Sequence, residues 1–98
     1  MNIGEAISAL KEGKMVRRSG WNGKGLFVFM QVPSVIHIDT VPKMQSLPQS
    51  VKDEFKQREG ATISYQNQMA IVYPDNSIHG WAPSASDALA GDWEVINE

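Results

Sequence analysis

The stretch Leu26-Phe27-Val28-Phe29-Met30-Gln31-Val32 is apolar at positions of both parities. Successive side chains of a strand point to opposite faces, so a strand of this composition leaves neither face suited to water. It predicts a central strand covered on both sides, by a helix or by another subunit. The chain has 98 residues, and a domain of that size buries only roughly two-thirds of the surface its unfolded form exposes. Covering layers are therefore few, and the strand is a hint of oligomerisation.

The other elements arrange themselves around that strand. Asn2 with Glu5 three positions on has the form of a capping box, although Asn replaces the usual Ser or Thr. Ile3, Ala6, Ile7 and Leu10 then recur at helical spacing, Lys11 and Lys14 flank the end, and Gly13 suits the left-handed terminating position. Residues 15–19 read as a strand with Val16 and Arg18 on one face and Arg17 on the other. Between this strand and the central one, Asn22-Gly23 signals a two-residue hairpin turn with Trp21 at its rim. Pro33, Pro42 and Pro48 among polar residues predict a long irregular connection, followed by a short helix at 50–58 with Ser50 as N-cap and Gly60 as terminator. Residues 63–66, 69–73 and 78–81 are strand-like, Ser84 with Asp87 brackets a short helix, and 93–96 alternates as a last strand. The expected fold class is α+β: one small domain spanning 1–98, with an antiparallel sheet, an N-terminal helix and short extra helices, assembling as a homo-oligomer. Residues 33–62 are its irregular insertion.

Composition narrows the function. A formal net charge of −2 gives no global field for duplex DNA, whose binding rests on phosphate neutralisation. Any phosphate site is then a local pocket. The chain has no cysteine, which excludes disulfides and thiolate metal sites. No basic-then-apolar leader is visible and the longest apolar run is far shorter than a membrane span, so the expected setting is cytoplasmic.

Candidate chemistry concentrates at two places. Arg17-Arg18-Ser19-Gly20-Trp21-Asn22-Gly23-Lys24-Gly25 sets an indole beside three cations, the pairing that suits a planar base carrying phosphate. The competing reading is a basic, solvated hairpin with an aromatic plug. It is not a P-loop, because Arg18 stands where the first glycine belongs and Gly25 where a magnesium-binding hydroxyl belongs. Gly80-Trp81-Ala82-Pro83-Ser84 leads into a helix start with Ser86 and Asp87, whose amides and side chains could meet an anion or sugar hydroxyls. Trp21 and Trp81 either bracket one flat ligand or plug the core or a subunit interface. Trp93, alternating with Val95, reads as core. His37 and His79 lack metal-ligand spacing, no Gly-x-Ser-x-Gly elbow exists, and Asp53, Glu54, Asp87 and Asp92 form no acid–base pair by position. No catalytic, metal or cofactor site is expected.

The blocks Asn2-Ile3-Gly4-Glu5-Ala6, Leu10-Lys11-Glu12-Gly13, Arg18-Ser19-Gly20-Trp21-Asn22-Gly23-Lys24-Gly25, Gly80-Trp81-Ala82-Pro83-Ser84 and Asp92-Trp93-Glu94-Val95-Ile96 closely resemble one family of small phage and prophage proteins. It is the second type of Thoeris anti-defence protein. The resemblance covers roughly the first 30 and last 20 residues. It implies a non-enzymatic sponge, a homotetramer in the host bacterial cytoplasm. Such a sponge sequesters cyclic ADP-ribose-type immune signals made by a bacterial Toll/interleukin-receptor-domain enzyme, with cyclic dinucleotides as a further ligand class. Carried over by position, Trp21 and Trp81 would stack on adenine. Asn22, Ser86 and Asp87 would supply polar contacts, and Arg17, Arg18 or Lys24 would meet the pyrophosphate. The alternatives are a protein-interaction module acting on a host protein and a cyclic-nucleotide hydrolase.

Overall fold

The computed structural model describes residues 1–21 and 24–96. The chain divides into two compact units, one made of 1–32 with 67–98 and the other of 33–66.

The first unit starts with helix α1, Ile3–Lys11, whose N-terminus is closed as the sequence predicts. The Asn2 side chain accepts from the Glu5 N–H at 2.8 Å and the Asn2 N–H donates to Glu5 Oε1 at 3.0 Å. These two bonds satisfy amides that a bare helix end leaves orphaned. Gly13 follows the helix at φ +86°, a conformation that glycine adopts without a Cβ penalty. The apolar stripe buries Ala6, Ala9 and Leu10. Two alanines let the helix axis come close to the sheet, and burying Leu10 stabilises by about 1.5–3 kcal/mol.

The sheet beneath it holds β1 (Met15–Arg18), β2 (Phe27–Gln31), β5 (Gln68–Val72), β6 (Ile78–Gly80) and β7 (Trp93–Ile96), in the order β6-β5-β2-β1-β7. Every neighbouring pair is antiparallel. The two-faced apolar strand β2 is the central one, as its composition requires. Register pairs Val16 with Val28, Val28 with Ile71, and Val16 with Val95. These residues share the face under α1, and the core is Ala6, Ala9, Leu10, Val16, Val28, Ile71 and Trp93. Helix α3, Ala85–Leu89, opens with the Ser84–Asp87 capping box.

The connection from β1 to β2 differs from the expected tight hairpin. Strand β1 ends at Arg18, a 3₁₀ turn spans Ser19–Trp21, and β2 begins only at Phe27. The reason is local: the Ser19 N–H donates to Asp92 O at 3.0 Å and the Gly20 N–H to Asp92 Oδ2 at 2.8 Å. Those amides are drawn toward β7 instead of pairing with β2. The Asn22-Gly23 turn itself lies outside the described residues.

The second unit is more ordered than its prolines suggest. Strands β3 (Ser34–His37) and β4 (Thr62–Tyr65) form an antiparallel ribbon with Ile36 opposite Ile63. Between them lie a 3₁₀ segment, Ile38–Lys43, and helix α2, Gln49–Gln57. The helix begins one residue before the expected Ser50 cap. Pro48 is the N-cap at φ −62°, and its carbonyl accepts from the Val51 and Lys52 N–H groups, both at 3.1 Å. Proline holds that φ in advance, so no capping side chain is needed to set the entry angle.

Candidate functional site

Alternation along β1 sends its two arginines to opposite faces, and their partners differ accordingly. Arg17, paired across the ladder with Glu94, donates from Nε to Glu94 Oε1 at 2.8 Å on the face away from α1. Arg18 turns to the helix face. Its Nε donates to Asp92 Oδ1 at 2.9 Å and its Nη1 to Asp87 Oδ1 at 3.0 Å, with the side chain only 22% exposed. One guanidinium thus fastens α3 to the turn that precedes β7, using the fork geometry that lysine lacks.

Asp87 is the knot of this network. Its Oδ1 takes Arg18, its Oδ2 takes the Ser84 N–H at 3.2 Å, and its carbonyl takes the Trp93 indole Nε1–H at 3.0 Å. Burial alone would push the Asp87 carboxyl up; the bonds from Arg18 and Ser84 outweigh it and hold the group below its ordinary value. For Asp92 the Arg18 bond is the leading cause and the Gly20 N–H the next, and they likewise hold it low. The same two carboxylates raise Arg18 further. Gly20 is held close to this network, since a Cβ there would sit 2.8 Å from Asp92 Oδ2.

The aromatic part sits on the same face. Trp93 is buried to 2% exposure. Trp21 and Trp81 each meet it edge-to-face, with centroids 5.5 Å and 5.8 Å away and interplanar angles of 79° and 77°. Both outer indoles are half-buried against the core. Sequence reading placed Trp21 and Trp81 together; the indole between them that joins them was missed, although its strand position was legible.

Of the expected site residues, Trp21, Trp81, Arg18 and Asp87 come together in one cluster. Arg17 does not, lying on the other sheet face. Lys24 is exposed, and its N–H donates to Trp21 O at 3.3 Å, so its main chain is tied to the indole residue. Ser86 is exposed on α3, whereas Ser84 does the capping. At the α3 start the capping box takes up the Ser84 and Asp87 N–H groups. Asn22 lies outside the described residues. His79 contacts Ser77 Oγ at 3.0 Å and stacks edge-on to Tyr73. Among the described residues, no group of His, Asp and Glu is gathered as a metal would need, and no helix is long and apolar enough to cross a membrane.

Fold and cluster together define a small α+β protein that carries an indole triad and a doubly paired arginine on the helix-covered face of an antiparallel sheet. The Thoeris anti-defense 2-like domain model matches residues 1–96, and the chain belongs to that family. It is similar to "Thoeris anti-defense 2" of Bacillus phage SP01, with 35% identity over 100 residues that take in 99% of this chain and 96% of that protein. This membership supports a phage anti-Thoeris role.

Proposed function

We propose that the chain acts as a sponge, binding a cyclic nucleotide immune signal of the cyclic ADP-ribose type and releasing it unchanged. Cyclic dinucleotides are a second ligand class. The observation that carries the reading is the pair of half-buried indoles held by Trp93 beside an exposed Lys24. Indoles fixed by packing stack on a base with little ordering cost. Family membership supplies the setting, an infected host cell.

Charge bookkeeping favours a site shared between chains. Nanomolar binding corresponds to about −12 kcal/mol. Two base stacks contribute roughly 1–3 kcal/mol each, and hydrogen bonds to charged groups about 1.5–3 each. Within one chain Arg17 and Arg18 are already paired with carboxylates. Among the described cations of the 18–24 stretch that leaves Lys24 for the pyrophosphate. One chain falls short of a tight site, so the assembly is a homo-oligomer, a homotetramer in this proposal, whose neighbours contribute further walls and charge. Asn22 and Ser86 remain as polar contacts from the loop and from α3.

The test is a thermal-shift panel of cyclic ADP-ribose isomers and cyclic dinucleotides on the wild type and on Trp81→Ala. Binding to the folded state raises stability by mass action, about 2.7 kcal/mol at a hundredfold excess over Kd. The expected result is a shift in the wild type and none in a still-folded Trp81→Ala. No shift with any cyclic nucleotide would overturn the proposal in favour of a protein partner.

A further inference from the structure

Gln49, Lys52, Asp53 and Lys56 stand at i, i+3, i+4 and i+7 on α2, the spacing that puts side chains on one face of a helix. An inward-turned face of that kind is normally apolar. Here it is polar, and it lines a cavity of about 80 Å³ whose other wall is Ile38, Val41 and Pro42 of the 3₁₀ segment. All of these residues belong to the second unit. Val41 is buried to 2% exposure, so the apolar wall is fixed by packing.

The charges around the cavity are unbalanced. The Lys52 ammonium donates to the Pro42 carbonyl at 3.1 Å, which uses one of its three N–H groups. Among the described residues, Lys56 has no hydrogen-bond or ion-pair partner. Asp53, the acidic residue of the lining, accepts from Gln49 Nε2 at 2.9 Å and pairs with neither lysine. Two like charges at i and i+4 repel each other, and an anion held between them removes that cost.

We propose that this cavity binds a carboxylate carried on a short apolar stem. The carboxylate sits between Lys52 and Lys56, whose N–H groups meet its two oxygens. The stem lies on Ile38, Val41 and Pro42. Size limits the ligand: at about 10–15 Å³ for one water, 80 Å³ takes a group of roughly five to eight heavy atoms, far fewer than a nucleotide has. Phosphate is disfavoured, because its higher charge is repelled by Asp53 and it leaves the apolar wall bare. A free short-chain carboxylic acid and a glutamate side chain of a protein partner share the chemistry that fits.

The site is independent of the nucleotide reading, and no nucleotide enters its test. The isotope-labelled full chain is titrated at neutral pH with butyrate and with a short peptide carrying one internal glutamate. Butyramide, inorganic phosphate and the glutamine form of the peptide are the controls, and amide resonances are followed by NMR. Those of Val41, Lys52 and Lys56 should shift and saturate with butyrate, with the glutamate peptide or with both, and the better of the two identifies the source. Lys56→Gln, at an exposed position, should stay folded by far-UV circular dichroism and bind about tenfold more weakly, the loss of one charge-assisted contact. Lys43→Gln, exposed and outside the lining, should bind as the wild type does. Resonances that move with neither carboxylate, or move equally with butyramide or phosphate, would overturn the site. Undiminished binding by a folded Lys56→Gln would do the same. None of these results bears on the thermal-shift test of cyclic nucleotides.

Discussion

Replacing Trp93 by Phe tests whether that indole joins the sheet core to the two outer tryptophans. The substitution keeps an aromatic ring in the slot but removes the Nε1–H that reaches Asp87 O at 3.0 Å. The carbonyl keeps the Ala90 N–H at 3.4 Å, so losing the indole bond costs about 1 kcal/mol. The side chain shrinks by about 40 Å³ in a site that is fully packed, adding about 1 kcal/mol at roughly 24 cal/mol per Å³. Two edge-to-face contacts at 5.5 Å and 5.8 Å are lengthened, with a combined loss of about 1 kcal/mol. The expected total is about 3 kcal/mol, a large share of the roughly 5–15 kcal/mol that holds a domain together. Urea unfolding at one fixed protein concentration, followed by far-UV circular dichroism, reads it. A loss below about 1 kcal/mol with an unchanged m value would refute the role given to Trp93.

Three further outcomes follow from the Arg18 network and from two glycines, Gly20 beside it and Gly13 at the end of α1. Asp87 and Asp92 are held below the ordinary carboxylate range. A depressed folded value gives stability above the unfolded one, about 3.9, that is lost as pH falls through the folded value. Arg18→Met should therefore be less stable than the wild type at pH 7, with the gap closing below about pH 4 in acid-titrated denaturation curves. Gly20→Ala forces a Cβ to 2.8 Å from Asp92 Oδ2, so it should lower the midpoint at neutral pH and flatten the same acid dependence. Gly13→Ala has nothing within 4 Å of the new carbon but a φ of +86°. It should cost about 1 kcal/mol from the backbone alone, with no change in pH dependence.

What the sequence disclosed was what local chemistry decides. The Asn2–Glu5 and Ser84–Asp87 boxes, the Gly13 terminator and the centrality of β2 all stand in the structure. Each depends on residues within a few positions or on a periodicity. The opposite faces of Arg17 and Arg18 were equally legible from alternation, and the structure puts their partners, Glu94 for one and Asp87 with Asp92 for the other, on different sides of the sheet. Long-range partners were not legible. Arg18 is bound to groups 69 and 74 residues away, and nothing near it in sequence names them. The Asp92 bonds to Ser19 and Gly20 also end β1 at Arg18, so the connection to β2 is longer than a two-residue hairpin; the Asn22-Gly23 turn lies outside the described residues. The β3–β4 ribbon was hidden because prolines at the margins of 33–50 dominate its composition, while the pairing of Ile36 with Ile63 spans the whole insertion.

A sponge captures its ligand without chemistry, and a recovery experiment tests both halves of that proposal at once. The protein is incubated with a cyclic ADP-ribose isomer and passed through a desalting column. The protein fraction is then heat-denatured and the released nucleotide analysed by chromatography and mass spectrometry. Ligand should co-elute with the wild type, fail to co-elute with Trp81→Ala, and return with its mass and retention time unchanged. Nucleotide that never travels with the protein, or that emerges linearised or cleaved, would contradict it.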